Sequence, residues 1–152
     1  MTRIDFYILA EQSHRNVEQL TCQLTEKAYL QNNFIYIHSK SVEQANSIDE
    51  LLWKYKADSF LPHANQLNMN QEQTDNFDYP IVINVSNSIT DTLNCEKRSE
   101  FLINMTNTTP AFFSQFHRLA EIVDKDEKSK QDARERFRFY KERGYEIATH
   151  NV

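Results

Sequence analysis

Glycine is nearly missing from this chain, in which Gly144 is the single glycine among 152 residues. Dinucleotide sites and P-loops need several glycines, because their backbone must come very close to the phosphates of the ligand. The scarcity of glycine therefore excludes nucleotide sites of these two types. We expect no cofactor.

Cysteine is also scarce, and histidine is scattered. The two cysteines, Cys22 and Cys95, form no CxxC pair, and none of the five histidines stands at ligand spacing to another histidine or to a cysteine. Metal centres need such spacing, so we expect no metal site. We expect both thiols to be reduced, because the sequence shows no export signal.

Long apolar runs are absent as well. No stretch approaches the roughly 20 apolar residues that span a bilayer. The N-terminus reads MTRIDFYILAEQ, which has a short apolar run and no small-residue cleavage site, unlike a signal peptide. We therefore expect a cytoplasmic protein that does not bind a membrane.

The chain as a whole has no excess of positive charge, because its formal net charge is −5. Binding nucleic acid over a broad surface needs clustered cations, and this composition argues against it. The charge is nevertheless uneven. Residues 127–143 hold 7 of the 17 lysines and arginines together with 4 acids, so this stretch is about +3 and the remainder about −8.

The sequence does contain an alternation of strand and helix patterns. Apolar runs rich in β-branched and aromatic residues predict strands at 4–9, 34–38, 81–85 and 101–105, and a short edge strand at 145–149. Helical spacing and capping residues predict helices at 17–31, 42–53, 110–123 and 127–143. We predict one α/β domain over residues 1–152, a three-layer sandwich with a mostly parallel central sheet flanked by helices. Residues 65–79 are predicted to form a surface loop.

The last predicted helix has two adjoining stripes on a helical wheel. Ala133, Phe137 and Tyr140 form an apolar stripe, and beside it lies a basic stripe of Lys130, Arg134, Arg138 and Lys141. A cationic ridge beside an aromatic ring suits an acidic peptide that ends in an apolar residue. The same pattern is typical of an ordinary solvated amphipathic helix, so periodicity alone leaves both interpretations open.

A second unusual stretch reads IDELLWKYKADSFLPH, from Ile48 to His63. Its large apolar residues, among them Trp53 and Phe60, are too many for a short surface connection. Either they fold back over the sheet or they anchor a protein partner, as Trp and Tyr often do. His63 as a catalytic base would need a nucleophile or a carboxylate, and no residue is singled out for that role. We therefore predict no catalytic constellation.

The most distinctive stretches occur in a defined order along the chain. They read FYIL, IDELLW, SFLPH, PIVIN, FLIN and ARERFRFYKERGYEI. In this order the chain resembles the chi subunit of bacterial DNA polymerase III holoenzyme, the HolC family. The resemblance covers nearly the whole chain, and residues 65–78 and 86–99 are the least typical. It implies a single α/β domain that is Rossmann-like without a nucleotide site, in agreement with the scarcity of glycine.

The resemblance implies a non-catalytic replication adaptor in the bacterial cytoplasm. Chi proteins bind the psi subunit of the clamp-loader complex on one face. On another face they bind the acidic, Phe-terminated C-terminal tail of single-stranded DNA-binding protein (SSB). The implied assembly is a monomer that forms a 1:1 heterodimer with psi and meets DNA only indirectly.

Residue by residue, the resemblance implies two binding sites on this chain. The residues implied for psi are Trp53, Phe60 and Leu61, and those implied for the SSB tail are Val123, Lys130, Arg134, Phe137 and Arg138. Many relatives have Tyr where this chain has Phe137, so the ring contact is kept while any hydroxyl hydrogen bond is lost.

Two other functions remain open from the residues alone. The basic helix at 127–143 could bind single-stranded nucleic acid directly, although the acidic net charge counts against it. A small hydrolase that uses His63 would require a nucleophile or an acid beside that histidine in space.

Overall fold

The computed structural model describes residues 1–54, 63–65, 80–85 and 100–152. Its strands are, in chain order, β1 (Arg3–Ile8), β2 (Ile35–Ser39), β3 (His63–Asn65), β4 (Ile81–Val85), β5 (Phe101–Asn104), β6 (Arg118–Val123) and β7 (Glu146–Asn151). Its helices are α1 (Val17–Leu30), α2 (Val42–Lys54) and α3 (Glu127–Glu142), with a 3-10 turn at Phe113–Gln115.

Within these ranges the strands form one sheet in the order β3-β4-β2-β5-β6-β1-β7, and every neighbouring pair is parallel. Buried residues of α1 and α2, such as Leu20 and Ile48, join the core on one face of the sheet. Ala133 and Tyr140 of α3 join the core on the other face. The predicted three-layer α/β sandwich is therefore confirmed.

The two cores explain why the strands read as continuous apolar runs. Along β2, Ile35 and Ile37 belong to the core under α1 and α2, whereas Tyr36 belongs to the core under α3. A strand covered by helices on both faces needs apolar residues at successive positions, because side chains alternate between the faces.

Local signals in the sequence set the helix ends. The Asn16 side chain accepts a hydrogen bond from the N–H of Gln19, and the Gln19 side chain accepts one from the N–H of Asn16, so α1 begins with a full capping box. On the inner side of α1, Cys22 is a fully buried free thiol, as predicted, and burial raises its pKa to about 12. Cys95 lies outside the described residues.

The predicted helix at 110–123 is wrong. Only Phe113–Gln115 forms a single 3-10 turn, and Arg118–Val123 is the strand β6, which lies between β5 and β1. Five of the six residues of β6 are buried, so its apolar pattern is nearly continuous. A short continuous apolar run matches helical spacing as well as it matches a central strand, and periodicity cannot separate the two.

The sequence also did not indicate β3, a three-residue strand at the edge of the sheet beside β4. Asn65, predicted to open a loop, ends this strand, and the remainder of the predicted loop at 65–79 lies outside the described residues. The predicted edge strand near the C-terminus is confirmed as β7. None of the helices in the described ranges is both long and apolar enough to cross a membrane.

Candidate functional site

The face that α3 turns toward the sheet is fixed by its buried residues, and its beginning is fixed by a cap. The Asp126 side chain accepts a hydrogen bond from the N–H of Ser129 at 3.0 Å and caps the first turn. Ala133, Arg136 and Tyr140 are the buried residues of the helix, so the predicted apolar stripe faces the sheet. The basic stripe adjoins the apolar stripe, so it lies on the helix surface beside the contact with the sheet.

A pocket of about 170 Å³ opens between α3 and strands β1, β6 and β7. Its lining consists of Phe6, Ile8, Val123, Lys130, Ala133, Arg134, Phe137 and Thr149. An apolar protein cavity of about 150 Å³ is large enough to hold benzene, so this pocket has room for one aromatic side chain.

The structure brings together four of the five residues implied for the SSB tail. Val123 and Phe137 contribute apolar walls, while Lys130 and Arg134 contribute cations. The Phe137 ring packs against the Phe6 ring with a centroid distance of 5.6 Å, and this contact helps to hold Phe137 in position. Arg138 is exposed and outside the lining, one turn of α3 beyond Arg134. The role of these residues in binding stays a prediction.

The charges around the pocket are one-sided. None of the described residues that line it is acidic. Arg134 is exposed, and it makes no ion pair or hydrogen bond within the described part of the chain. The Nζ atom of Lys130 lies 3.6 Å from Oε1 of Glu11, an exposed residue of the turn after β1. An apolar floor with a cationic rim can accept an apolar group attached to an anion.

Sequence reasoning missed the contributions of strands β1 and β7 to this pocket. Phe6, Ile8 and Thr149 come from parts of the chain that are far from α3 or follow it in the sequence, and no local pattern links them. The alternation of β1 predicts that Phe6 and Ile8 share one face, but not which helix covers that face.

A buried polar cluster fastens α3 to β6 behind the pocket. The carboxylate of Glu121, which is fully buried, accepts hydrogen bonds from Arg136 Nε at 3.1 Å, the Tyr140 hydroxyl at 2.6 Å and Asn104 Nδ2 at 2.6 Å. Burial raises the pKa of Glu121, and the Arg136 guanidinium opposes that shift. Burial and the nearby Glu121 carboxylate also raise the pKa of Tyr140.

The same cluster reaches the loop that follows β5. Arg136 Nη1 donates to the carbonyl of Asn107 at 2.8 Å, and Asn104 Nδ2 donates to the carbonyl of Thr108 at 2.9 Å. Because every polar atom named here is paired inside the protein, the cluster holds the helix in place and leaves no group for a ligand.

Of the three residues implied for psi, the structure describes only Trp53. Trp53, near the end of α2, is 57% exposed, and Val42 at the start of the same helix is 49% exposed. Phe60 and Leu61 lie outside the described residues, so the psi site stays a prediction.

The side chain of His63 also lies outside the described residues, and the hydrolase alternative is untested. Among the described residues, no group of three or more His, Cys, Asp or Glu could hold a metal ion.

Comparison with known proteins decides the family. The protein-family model described as DNA polymerase III chi subunit, HolC, matches residues 1–148. The chain belongs to the chi subunit family of DNA polymerase III. Members of this family are accessory subunits of the DNA replication machinery, and the chain is one of them. This result confirms the resemblance recognised in the sequence.

Individual chi subunits are similar to the chain over most of its length. The DNA polymerase III subunit chi of Pseudomonas aeruginosa is 30% identical over 152 residues, which cover 100% of this chain and 98% of the relative. That of Haemophilus influenzae is 33% identical over 97% of this chain and 95% of its own length. That of Escherichia coli is 27% identical over 88% of this chain and 84% of its own length.

Proposed function

We propose that the chain is a non-catalytic replication adaptor, which links the clamp-loader complex, through psi, to the acidic tail of SSB. The observation that carries this proposal is the pocket on α3, which combines apolar walls with a cationic rim. The partner that fits it is an acidic peptide with a terminal aromatic residue. DNA is reached through SSB and not by direct contact.

Each part of such a peptide has a counterpart in the pocket. Val123 and Phe137 can contact the terminal ring, and the volume suffices for one ring. The planar guanidinium of Arg134 can donate two parallel hydrogen bonds to the terminal carboxylate. Lys130 in the lining and the exposed Arg138 can meet acidic residues further up the peptide.

A contact of this size favours weak binding. A single ring and a few exposed charges give an affinity on the order of micromolar that falls as salt screens the charges. A partner that presents several identical tails on one DNA strand gains avidity, which makes weak single contacts sufficient.

The absence of a reaction is part of the proposal. One cluster of titratable groups in the described residues surrounds Glu121, which is 0% exposed. A substrate cannot reach that carboxylate, and its hydrogen-bonding capacity is already used by Arg136, Tyr140 and Asn104. We therefore assign this cluster to the stability of the fold.

We assign the face around Trp53 to psi, in a 1:1 complex. An exposed tryptophan near the end of a surface helix is the kind of side chain that dominates protein interfaces. Phe60 and Leu61 follow closely in the sequence and complete the predicted contact.

A fluorescence-anisotropy titration tests the SSB-tail site. The probe is a labelled acidic peptide that ends in Pro-Phe, titrated at two salt concentrations with the wild type and with Arg134→Ala. We expect micromolar binding that weakens with salt, and a loss of about 1–3 kcal/mol in Arg134→Ala because a charge-assisted pair disappears.

Lys141→Ala is the matched control, because it removes a cation two turns away on the same helix and outside the pocket lining. It should change the affinity little. Absence of peptide binding to the wild type at low salt would contradict the proposal. Tight binding of a labelled single-stranded oligonucleotide in the same assay would favour the direct nucleic-acid alternative.

A further inference from the structure

The turn between β1 and α1 is held beside the pocket on α3. The N–H of Ala10 donates to the carbonyl of Val152 at 2.8 Å, and the N–H of Ser13 donates to the carbonyl of Ala10 at 3.0 Å. The ammonium group of Lys125, just before α3, donates to the carbonyl of Ser13 at 2.6 Å. The turn is therefore tied both to the C-terminus and to the beginning of α3.

Glu11 is carried by this turn and reaches the rim of the pocket. Its Oε1 atom lies 3.6 Å from Nζ of Lys130, a lining residue. The Lys130 side chain is 23% exposed and that of Glu11 is 81% exposed, so the carboxylate approaches the lysine from the solvent side.

The two cations of the described lining therefore differ before any ligand binds. Arg134 has no acidic partner within the described residues, whereas Lys130 is already paired with Glu11. A carboxylate that arrives at Arg134 meets an unpaired charge. One that arrives at Lys130 must displace Glu11 or share the lysine with it.

We propose that Glu11 competes with the partner for Lys130. In the free protein, the Glu11 carboxylate occupies the position that an acidic residue of the partner would take. This inference rests on the proposed binding of an acidic peptide at the α3 pocket. Glu11 lowers the affinity for a peptide whose acidic residues use Lys130 as well as Arg134. A ligand with a single carboxylate uses Arg134 alone and does not compete with Glu11, so Glu11 reduces the gain in affinity that further acidic residues give.

The anisotropy assay with the Pro-Phe peptide measures this effect through Glu11→Gln. Exposed ion pairs are weak, so removal of the competitor should raise the affinity about two- to five-fold at low salt. Glu135→Gln is the matched control, because it removes the same charge from the exposed side of α3, away from Lys130. It should change the affinity less than about 1.5-fold because salt screens distant charges.

A double-mutant cycle assigns the gain to Lys130. In a Lys130→Gln background, Glu11→Gln should no longer raise the affinity, because the competed cation is gone. A gain that persists in that background would show general repulsion between Glu11 and the peptide and would overturn the proposal. Wild-type binding with no gain in Glu11→Gln would overturn it too, while leaving the proposed function intact.

A second measurement needs no peptide. The side-chain NMR signals of Lys130 should shift in Glu11→Gln relative to the wild type, and those of Lys128 should not. Unchanged Lys130 signals would show that the ion pair does not form in solution and would also overturn the proposal. Failure of the wild type to bind the peptide would overturn the proposed function, and this inference with it.

Discussion

Arg136 and Phe137 are neighbours in the sequence but have different surroundings. The Phe137 ring lines the pocket, while the Arg136 side chain is 5% exposed and pairs with Glu121 behind it. A buried ion pair is not a strong source of stability compared with apolar packing, yet the loss of one partner leaves an uncompensated charge in the core. We therefore expect Arg136 to matter for the stability of the fold, whereas Phe137 is expected to matter for binding.

Arg136→Ala should lower the free energy of unfolding by about 3–5 kcal/mol, because the Glu121 carboxylate would remain buried without its cation. Urea denaturation followed by circular dichroism measures the change. Arg138→Ala, an exposed arginine on the same helix, is the control and should change stability by less than about 0.5 kcal/mol. Equal effects of the two substitutions would contradict the role of the buried pair.

His38 makes the stability of the protein sensitive to acid. Its side chain is 4% exposed, and burial lowers its pKa from 6.5 to about 4. The unfolded chain takes up a proton near pH 6.5, and the folded protein resists until about pH 4, so stability falls as the pH drops through this interval.

The free energy of unfolding should fall by about 3 kcal/mol between pH 6.5 and pH 4 because of His38. Above pH 6.5, His38 should add no pH dependence. Unfolding free energies of the wild type and of His38→Leu, measured between pH 7 and pH 4, test this expectation. The variant should have a shallower pH dependence. Parallel curves for the two proteins would assign the acid sensitivity to other groups.

At the scale of elements, α3 is the part whose ends and faces follow most directly from the sequence. It begins at the predicted position and ends before Gly144, whose φ of 82° lies in the left-handed region that favours glycine. This ending turns the chain into β7, which supplies Thr149 to the pocket.

Gly144→Ala should destabilise the protein by about 1 kcal/mol, because alanine is strained at a positive φ although its Cβ would meet no atom within 4 Å. Gly144→Asn is the matched comparison, since asparagine tolerates this conformation better. Urea unfolding should rank the proteins as wild type, then Asn, then Ala. If alanine were as stable as glycine, the left-handed ending of α3 would be in doubt.

At the scale of the whole molecule, the two proposed partner sites are on different elements. Trp53 lies on α2, which covers one face of the sheet, and the pocket is formed by α3 on the other face. Substitutions at such separated positions usually act independently.

Trp53→Ala should therefore weaken psi binding and spare the SSB tail, and Arg134→Ala should do the reverse. Loss of a large exposed aromatic from the centre of an interface costs about 2 kcal/mol or more. Calorimetric titration with purified psi and anisotropy with the tail peptide measure the two affinities. If both substitutions damaged both activities equally, the model with two separate faces would be wrong.

The sequence predicted local features well because their signals are local. The beginning of α1 after Asn16 and the end of α3 before Gly144 each depend on residues within a few positions. The strand at 81–85 was predicted with its observed bounds, because Pro80 precedes a run of β-branched apolar residues that only Asn84 interrupts.

Other features could not be predicted, because they depend on contacts between distant residues. Whether 110–123 is a helix or contains a strand is decided by its place between β5 and β1. The burial of Arg136 is decided by Glu121 on β6, since a charged residue on a helix is otherwise expected to face water.

The sequence by itself determined the three helices, five of the seven described strands, the two stripes of α3 and the family. These properties are encoded in periodicity, capping chemistry and ordered motifs. Only the tertiary structure decided the strand order, the strand β6, and the pocket in which Phe6 and Thr149 meet α3. The physical reason is that a pocket is formed by side chains more than 100 residues apart in sequence, which parallel pairing of β1, β6 and β7 brings together.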